Sequence, residues 1–192
     1  MSSTRIRRSA MVAAAAFVLP ITLGVAAPAF ADTPKVDPYG PACASVPKDG
    51  AGSLAGMAQD PVATAASNNP ALSTLVAAVK KAGLVDTLNN AQNITVFAPS
   101  NDAFKKIPKA DLDKILADKA QLTKILTYHV VGEKLTPEQM ANGTFKTLEG
   151  GSLTTAGSGE TFTVNKSAKV ICGDVQTSNA TVNIIDTVLT PM

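Results

Sequence analysis

The sequence predicts one exported domain of the α+β class. Amphipathic helices dominate residues 60–128, whereas short strands separated by tight turns fill most of the chain after residue 144. Helices that precede antiparallel strands, rather than alternating with them, indicate an α+β fold and not a parallel βαβ sheet. The chain shows no internal repeat at a fixed period.

The first 31 residues have the features of a secretory signal peptide. Arg5, Arg7 and Arg8 precede an apolar run, and Ala29-Phe30-Ala31 has the small-x-small pattern of a cleavage site. The alternative is an uncleaved membrane anchor, for which the run is nearly long enough, but the position of the cleavage site favours removal. No cysteine lies near that site, so we do not expect a lipid-modified N-terminus. The predicted location is extracellular, either free in the medium or associated with the cell wall.

Removal of the signal changes the charge of the chain. All three arginines leave with it, so 14 lysines face 15 acidic residues and the formal net charge becomes −1. The remaining 161 residues suffice for one domain with a real core. A chain with scattered lysines and no arginine has no patch for a polyanion, so we do not expect nucleic-acid binding. Because the apolar run leaves with the signal, we expect no membrane span in the mature protein.

Cys43 and Cys172 are the two cysteines of the chain. An isolated pair in an exported protein usually forms a disulfide, here one that ties the N-terminal segment to the end of the domain. The alternatives are a redox pair or two metal ligands. Neither cysteine lies in a CxxC motif, which argues against a redox pair. Two distant cysteines and one histidine are too few ligands for a typical protein metal site. The prediction is a structural disulfide.

Residues 32–55 carry four prolines and several glycines, which predicts an extended N-terminal arm. The compact domain is predicted to cover residues 56–192. Asp60-Pro61 and Asn69-Pro70 both have the pattern of a helix start, with Asp60 as the expected N-cap. After the second start, apolar residues at helical spacing and Gly83 as a stop predict an amphipathic helix over 72–82.

The segment Thr95-Val-Phe-Ala-Pro-Ser-Asn-Asp-Ala-Phe104 predicts a buried strand, a break and a new helix within ten residues. Pro99 cannot continue a strand as an internal ladder member, and Ser100 or Asn101 can cap the following helix. Two further helices are predicted over 109–118 and 119–130. Thr136 and Gln139 then have the spacing of a capping box.

The last part of the chain predicts antiparallel strands. The strand segments are 144–155, 160–165, 168–174 and 181–189. Gly150-Gly151 fits a tight hairpin, and Gly157-Ser158-Gly159 fits a longer one.

Few residues here are suited to chemistry. The chain has no GxSxG, HExxH or GxGxxG motif, and His129 is its single histidine. Composition alone permits a Ser-His-Asp arrangement, but no local pattern supports one. His129 lies between an apolar helix face and two valines, so we interpret it as a buried residue that needs a hydrogen-bond partner. Asn101 or Asp102 is the hypothesised partner. We expect no catalytic residue, cofactor or metal.

Three segments together resemble the fasciclin-domain family. Residues 94–104 resemble its first conserved box, "LTYHVV" (126–131) resembles its Tyr-His segment, and residues 179–191 resemble its second box. Order and spacing agree over about residues 60–191, and the chain is most similar to the small secreted single-domain fasciclin antigens of mycobacteria and other actinobacteria. The resemblance implies a two-sheet β-sandwich or wedge with helices packed along one side.

The resemblance also implies roles for individual residues. In animal members of the family, the Tyr-His segment has been connected with adhesion. The resemblance implies that Tyr128 and His129 would have that role in this chain. The alternative is that substitution of a buried motif affects adhesion simply by unfolding the domain. Pro99, Asn101 and Asp102 are interpreted as a structural corner.

The resulting expectation is a non-catalytic extracellular adhesion or interaction module. Its partner would be a cell-surface or matrix protein or a glycan, and we expect the protein to be a monomer. The alternative is a carrier of a small apolar ligand held between the helices and the sheets, which an apolar pocket would favour. An enzyme would require His129 in an open cleft beside a serine and an aspartate.

Overall fold

A computed structural model describes residues 37–191. Its helices are α1 (Leu54–Met57), α2 (Val62–Asn68), α3 (Ser73–Ala82), α4 (Val85–Asn90), α5 (Asn101–Lys105), α6 (Lys109–Ala117), α7 (Lys119–Tyr128) and α8 (Pro137–Met140). Its strands are β1 (Ile94–Pro99), β2 (Val130–Val131), β3 (Asn142–Lys146), β4 (Ser152–Ser158), β5 (Thr161–Val164), β6 (Ala168–Gln176) and β7 (Ala180–Ile185). Helices come first and strands after them, apart from β1, β2 and α8, as the sequence predicted for an α+β fold.

The seven strands form one hydrogen-bonded series in the order β2-β1-β7-β6-β5-β4-β3. Strands β1 and β7 run parallel and the other neighbouring pairs are antiparallel. Val131 bridges Thr147 just beyond β3, and Leu148 N donates to Val130 O at 2.8 Å. These contacts join the two edges, so the sheet nearly closes into a barrel.

The division into two sheets that the resemblance implied is not confirmed. Strand β6 pairs with both β5 and β7 and so joins the two halves of the sheet. Its register with β7 shifts between Val170 and Cys172 and again between Cys172 and Val175. Such bulges bend a strand and increase its twist, which lets one sheet curve instead of splitting into two.

The two faces of this sheet contact different parts of the molecule. On β1, Val96 and Ala98 pack against the helices, whereas Phe97 points into the barrel. On β7, Ile184 packs against the helices and Ile185 points into the barrel. Because side chains alternate along a strand, each of the two central strands contributes to a helix–sheet layer on one face and to the barrel interior on the other.

Local signals in the sequence account for most helix ends. Gly83 ends α3 in the left-handed conformation, with φ 76°. Asp118 Oδ1 accepts from two amides at the start of α7, and Thr136 and Gln139 form the capping box of α8. The prediction that Asp60 caps α2 is wrong: Pro61 is the N-cap, and Asp60 Oδ2 accepts from Asn68 Nδ2 at 3.0 Å.

The predicted signal peptide and residues 32–36 lie outside the described residues. The described part of the predicted arm contains a 3₁₀ turn at Pro41–Ser45 and packs on the domain. Tyr39 and Gly173 exchange both backbone hydrogen bonds, and Cys43 forms a disulfide with Cys172. A search of the described residues finds no helix with the length and apolar character needed to cross a bilayer.

Candidate functional site

The corner after β1 connects the sheet to the helices. Pro99 is the last residue of β1, and the Ser100 hydroxyl accepts from Ala103 N at 3.2 Å as the N-cap of α5. Asn101 is the first residue of α5 and ties it to α3. Its Oδ1 accepts from Thr74 N at 3.0 Å, and its Nδ2 donates to Pro70 O at 2.9 Å. Asp102 is exposed and forms an ion pair with Lys105 at 2.8 Å.

Tyr128 lies at the end of α7 and is 2% exposed. Its hydroxyl donates to Ser152 O at 2.9 Å and accepts from Asn165 Nδ2 at 3.0 Å. Asn165 adopts a positive φ of 50°, and its Oδ1 accepts from Thr154 N. Tyr128 therefore joins α7 to the turn regions of the barrel, and its ring is not accessible to a partner in the folded protein.

His129 is the C-cap of α7, and it is likewise 2% exposed. Ile125 O lies 2.8 Å from Nδ1, and Leu189 N donates to Nε2 at 2.9 Å. Since Nε2 accepts, the ring proton belongs on Nδ1 and the imidazole is neutral. Burial lowers the pKa of His129 to about 4, although the hydrogen bond to the Ile125 carbonyl acts in the opposite direction.

The hypothesis that Asn101 or Asp102 pairs with His129 is wrong. Both ring nitrogens are occupied by backbone groups, and the side chains of Asn101 and Asp102 bond elsewhere. The ring therefore holds the end of α7 against the C-terminal segment at Leu189. A general base needs a nitrogen within reach of a substrate proton, and this imidazole has none to offer.

A buried polar group lies where β6 bulges. Asp174 has a φ of 57° and is 5% exposed, and its amide donates to Asn183 Oδ1 at 3.0 Å. Burial raises the pKa of Asp174 to about 6, while Lys134 and a hydrogen bond from Gln176 act against the rise. Burial, with Asp174 nearby, also raises the pKa of Tyr39.

Tyr39 explains the glycine at position 173. Any side chain there would collide with the tyrosine ring, which packs against Phe162 at a centroid distance of 5.4 Å. The Tyr39 hydroxyl is buried without a hydrogen-bond partner in the structure. Sequence reasoning assigned Tyr39 to a loose arm, because the long-range pairing with Gly173 leaves no local signal.

Asn179 is a second residue whose role sequence reasoning missed. It is 7% exposed, its Oδ1 accepts from Val62 N at 2.8 Å, and its Nδ2 donates to Leu88 O at 2.8 Å. One amide thus fixes the start of α2 and the end of α4 to the start of β7. The sequence indicated only that this asparagine precedes a strand.

A narrow apolar cleft lies in the helix–sheet layer, and we call it the helix–sheet cleft. Its cavity volume is about 40 Å³. Helices α2, α3, α4 and α7 and strands β1, β2 and β7 contribute to its walls, and Leu148 also lines it. Leu148 is 46% exposed and is the one large exposed hydrophobic residue among those described. No pattern in the sequence located this cleft, since its lining comes from stretches of the chain that lie far apart between residues 62 and 182.

Residues suited to metal binding are not gathered anywhere in the described region. Within 37–191, no group of three or more His, Cys, Asp or Glu side chains is placed to hold an ion. The two cysteines of the chain are both in the disulfide.

The comparisons with known proteins point to one family. A family model described as the fasciclin domain matches residues 70–191. The cell surface glycolipoprotein MPB83 of Mycobacterium bovis is 49% identical over 166 residues, which cover 82% of this chain and 74% of the relative. The immunogenic protein MPB70 of the same species is 46% identical over 186 residues, 93% of each chain.

A solved FAS1 domain pair from the insect cell adhesion molecule Fasciclin I has a similar fold. The TM-score is 0.58 at 21% identity, and the match covers 71% of this chain. It spans 52% of the insect chain, about half of that domain pair. This likeness concerns the fold alone.

Proposed function

The chain belongs to the fasciclin family, and on that premise we propose that it is an exported, non-catalytic interaction module of the cell surface. The observation that carries the proposal is the state of His129. The single histidine is buried and neutral, and both of its ring nitrogens bond to the backbone. The residue best suited to proton transfer is thus used to stabilise the fold.

The names of two relatives support an extracellular site of action. One is a cell surface glycolipoprotein and the other an immunogenic protein. This chain has two cysteines, and both are in the disulfide, so neither thiol is free to carry a lipid. We therefore propose that it acts as a soluble antigen-like protein in the medium or at the cell wall.

Tyr128 and His129 are proposed to affect binding indirectly. Both side chains are 2% exposed and hydrogen-bonded inside the domain. Their substitution would disturb the junction of α7 with the barrel, and with it any surface that the junction supports. The contact surface itself is then built from exposed loops and helix faces.

The test is affinity capture with the oxidised protein, immobilised and exposed to solubilised cell-surface proteins and to glycans. We expect at least one protein or glycan to be enriched over an unrelated secreted protein of similar size. Loss of that enrichment after disulfide reduction would link binding to the folded state. Equal recovery on the folded protein and on the unrelated control would overturn the interaction module.

A second candidate function is transport of a small apolar ligand. The helix–sheet cleft favours it, because its lining is almost wholly apolar, as the lining of a small-molecule site usually is.

A further inference from the structure

We propose that the helix–sheet cleft binds a single neutral hydrocarbon chain. The inference rests on the second candidate function and names its ligand class. Three features of the cleft carry it: the chemistry of its lining, its narrow cavity, and its opening beside Leu148.

The lining has no charged side chain. Its polar residues are Ser67, Thr87, Thr127 and His129. Ser67 Oγ donates to Ala63 O at 2.8 Å, and Thr127 Oγ1 donates to Thr123 O at 2.8 Å. The two ring nitrogens of His129 are occupied as well. Thr87 is exposed to solvent.

The donor hydrogens of Ser67 and Thr127 are thus already used, and this limits what the cleft can recognise. A ligand carboxylate or phosphate inside it would lose its water without gaining a hydrogen-bond donor from these residues, which costs free energy. A hydrocarbon loses no hydrogen bond on entry and gains from burial of apolar surface. The lining chemistry therefore selects a neutral, apolar group.

The size of the cavity restricts the shape of that group. About 40 Å³ is a few times the volume that one water molecule requires. This admits a slender chain of methylenes more readily than a ring or a branched headgroup. A protein partner would anchor through Trp, Tyr or Arg in most cases, and such side chains are too bulky for this space.

The opening gives an entry path. Leu148 lines the cleft from the loop after β3, and Val76, Leu84 and Val85 are partly buried residues of its helical wall. The side chain of Leu148 is 46% exposed at this point. It can cover the part of a bound chain that protrudes, while a polar end of the ligand remains in water.

The first experiment is a chain-length series. Titration of the oxidised protein with 1-alkanols from butanol to decanol, followed by calorimetry, should give saturable binding. Each added methylene should strengthen binding about fourfold until the cleft is full, after which the affinity should level off. Decanoate should bind no more tightly than decanol, since the cleft has no cation to pair with its charge.

The second experiment places the site. Val76→Phe should fill the cleft and weaken decanol binding at least ~10-fold, because each excluded methylene removes about a fourfold gain. Leu54→Phe is the matched control: Leu54 is a half-buried helix residue outside the cleft, and this substitution should leave the affinity unchanged. Leu148→Ala changes an exposed position and should weaken binding about fourfold with no loss of fold.

Absence of saturable binding, or equal affinity for butanol and decanol, would overturn the proposal. So would decanol binding that Val76→Phe and Leu148→Ala both leave unchanged. These results are independent of the affinity capture described above. A protein that captures a surface partner but no alkanol would keep its interaction role and lose the ligand site.

Discussion

The two faces of the sheet are packed with different kinds of side chain. The buried cluster inside the barrel includes five aromatic residues, Tyr39, Phe97, Tyr128, Phe145 and Phe162. The buried cluster of the helix–sheet layer includes one, Phe104, together with seven alanines. Strands β1 and β7 contribute to both clusters, so the same backbone supports a core rich in aromatic rings and a core made mainly of aliphatic residues.

This difference explains where space remains in the molecule. The Val131–Thr147 bridge nearly closes the barrel, and large rings fill its interior. The helix layer is a set of short helices whose buried cluster has one aromatic residue and seven alanines. The cleft lies in this layer, where no strand pairing closes the structure and few rings fill the space.

The largest expected effect concerns the N-terminal segment, which contacts both cores. Tyr39 belongs to the barrel interior, whereas Cys43 packs on the helix–sheet layer. The disulfide spans 129 residues of sequence, so Cys43→Ser with Cys172→Ser should lower the free energy of unfolding by ~5 kcal/mol in the chain-entropy model. Urea denaturation of both proteins measures it. A loss under ~1 kcal/mol would mean that the Tyr39 contacts alone hold the segment.

The second prediction compares the two cores directly. Phe162→Ala removes a ring that is 2% exposed and should cost about 3–5 kcal/mol of unfolding free energy. Val76→Ala in the cleft wall should cost under ~1 kcal/mol, because Val76 is only partly buried and alanine is the better helix former. Urea denaturation of the two variants measures the loss of unfolding free energy in each. Equal losses would mean that the barrel interior is not packed more completely than the helix–sheet layer.

The third prediction concerns pH. The pKa of His129 is about 4 in the folded protein against 6.5 ordinarily, so the unfolded state binds more protons between these values. The stability that neutral His129 contributes is thus complete above pH 6.5 and is lost as the pH falls toward 4, by up to ~3 kcal/mol. Denaturation at a series of pH values measures this slope.

Asp174 has the opposite pH dependence. Its pKa is raised to about 6, so the folded state binds more protons than the unfolded state between pH 3.8 and 6, and stability rises there as the pH falls. The loss of unfolding free energy on acidification from pH 6.5 to 4 should therefore be steeper in Asp174→Asn and shallower in His129→Gln. If the unfolding free energy of the two variants depended on pH in the same way, the opposite roles given to Asp174 and His129 would be wrong.

A small stabilising effect is expected for Asp174→Asn at neutral pH. Removal of a buried charge should stabilise the protein by about 1 kcal/mol, after allowance for partial screening by solvent. Asparagine also tolerates the φ of 57° at this position and can keep the hydrogen bond from Gln176. Thermal denaturation at pH 7 tests it. A lower melting temperature would show that the carboxylate has a stabilising partner.

Sequence reasoning succeeded where a signal is local. The amphipathic helix before Gly83 and the capping box at Thr136 each depend on residues within one or two turns. It failed for the partner of His129, because Leu189 is 60 residues away and donates a backbone amide. Every residue type except proline carries that amide, so side-chain identity contains no information about it.

The amino-acid sequence by itself determined the order of helices and strands, most helix ends and the family. Periodicity, capping residues and turn glycines act over a few residues, and the fasciclin boxes are contiguous. Only the tertiary structure decided that the sheet nearly closes into a barrel, that Tyr128 and His129 are buried, and that an apolar cleft remains beside Leu148. These features depend on how distant side chains fill a shared volume, and no short stretch of chain specifies that volume.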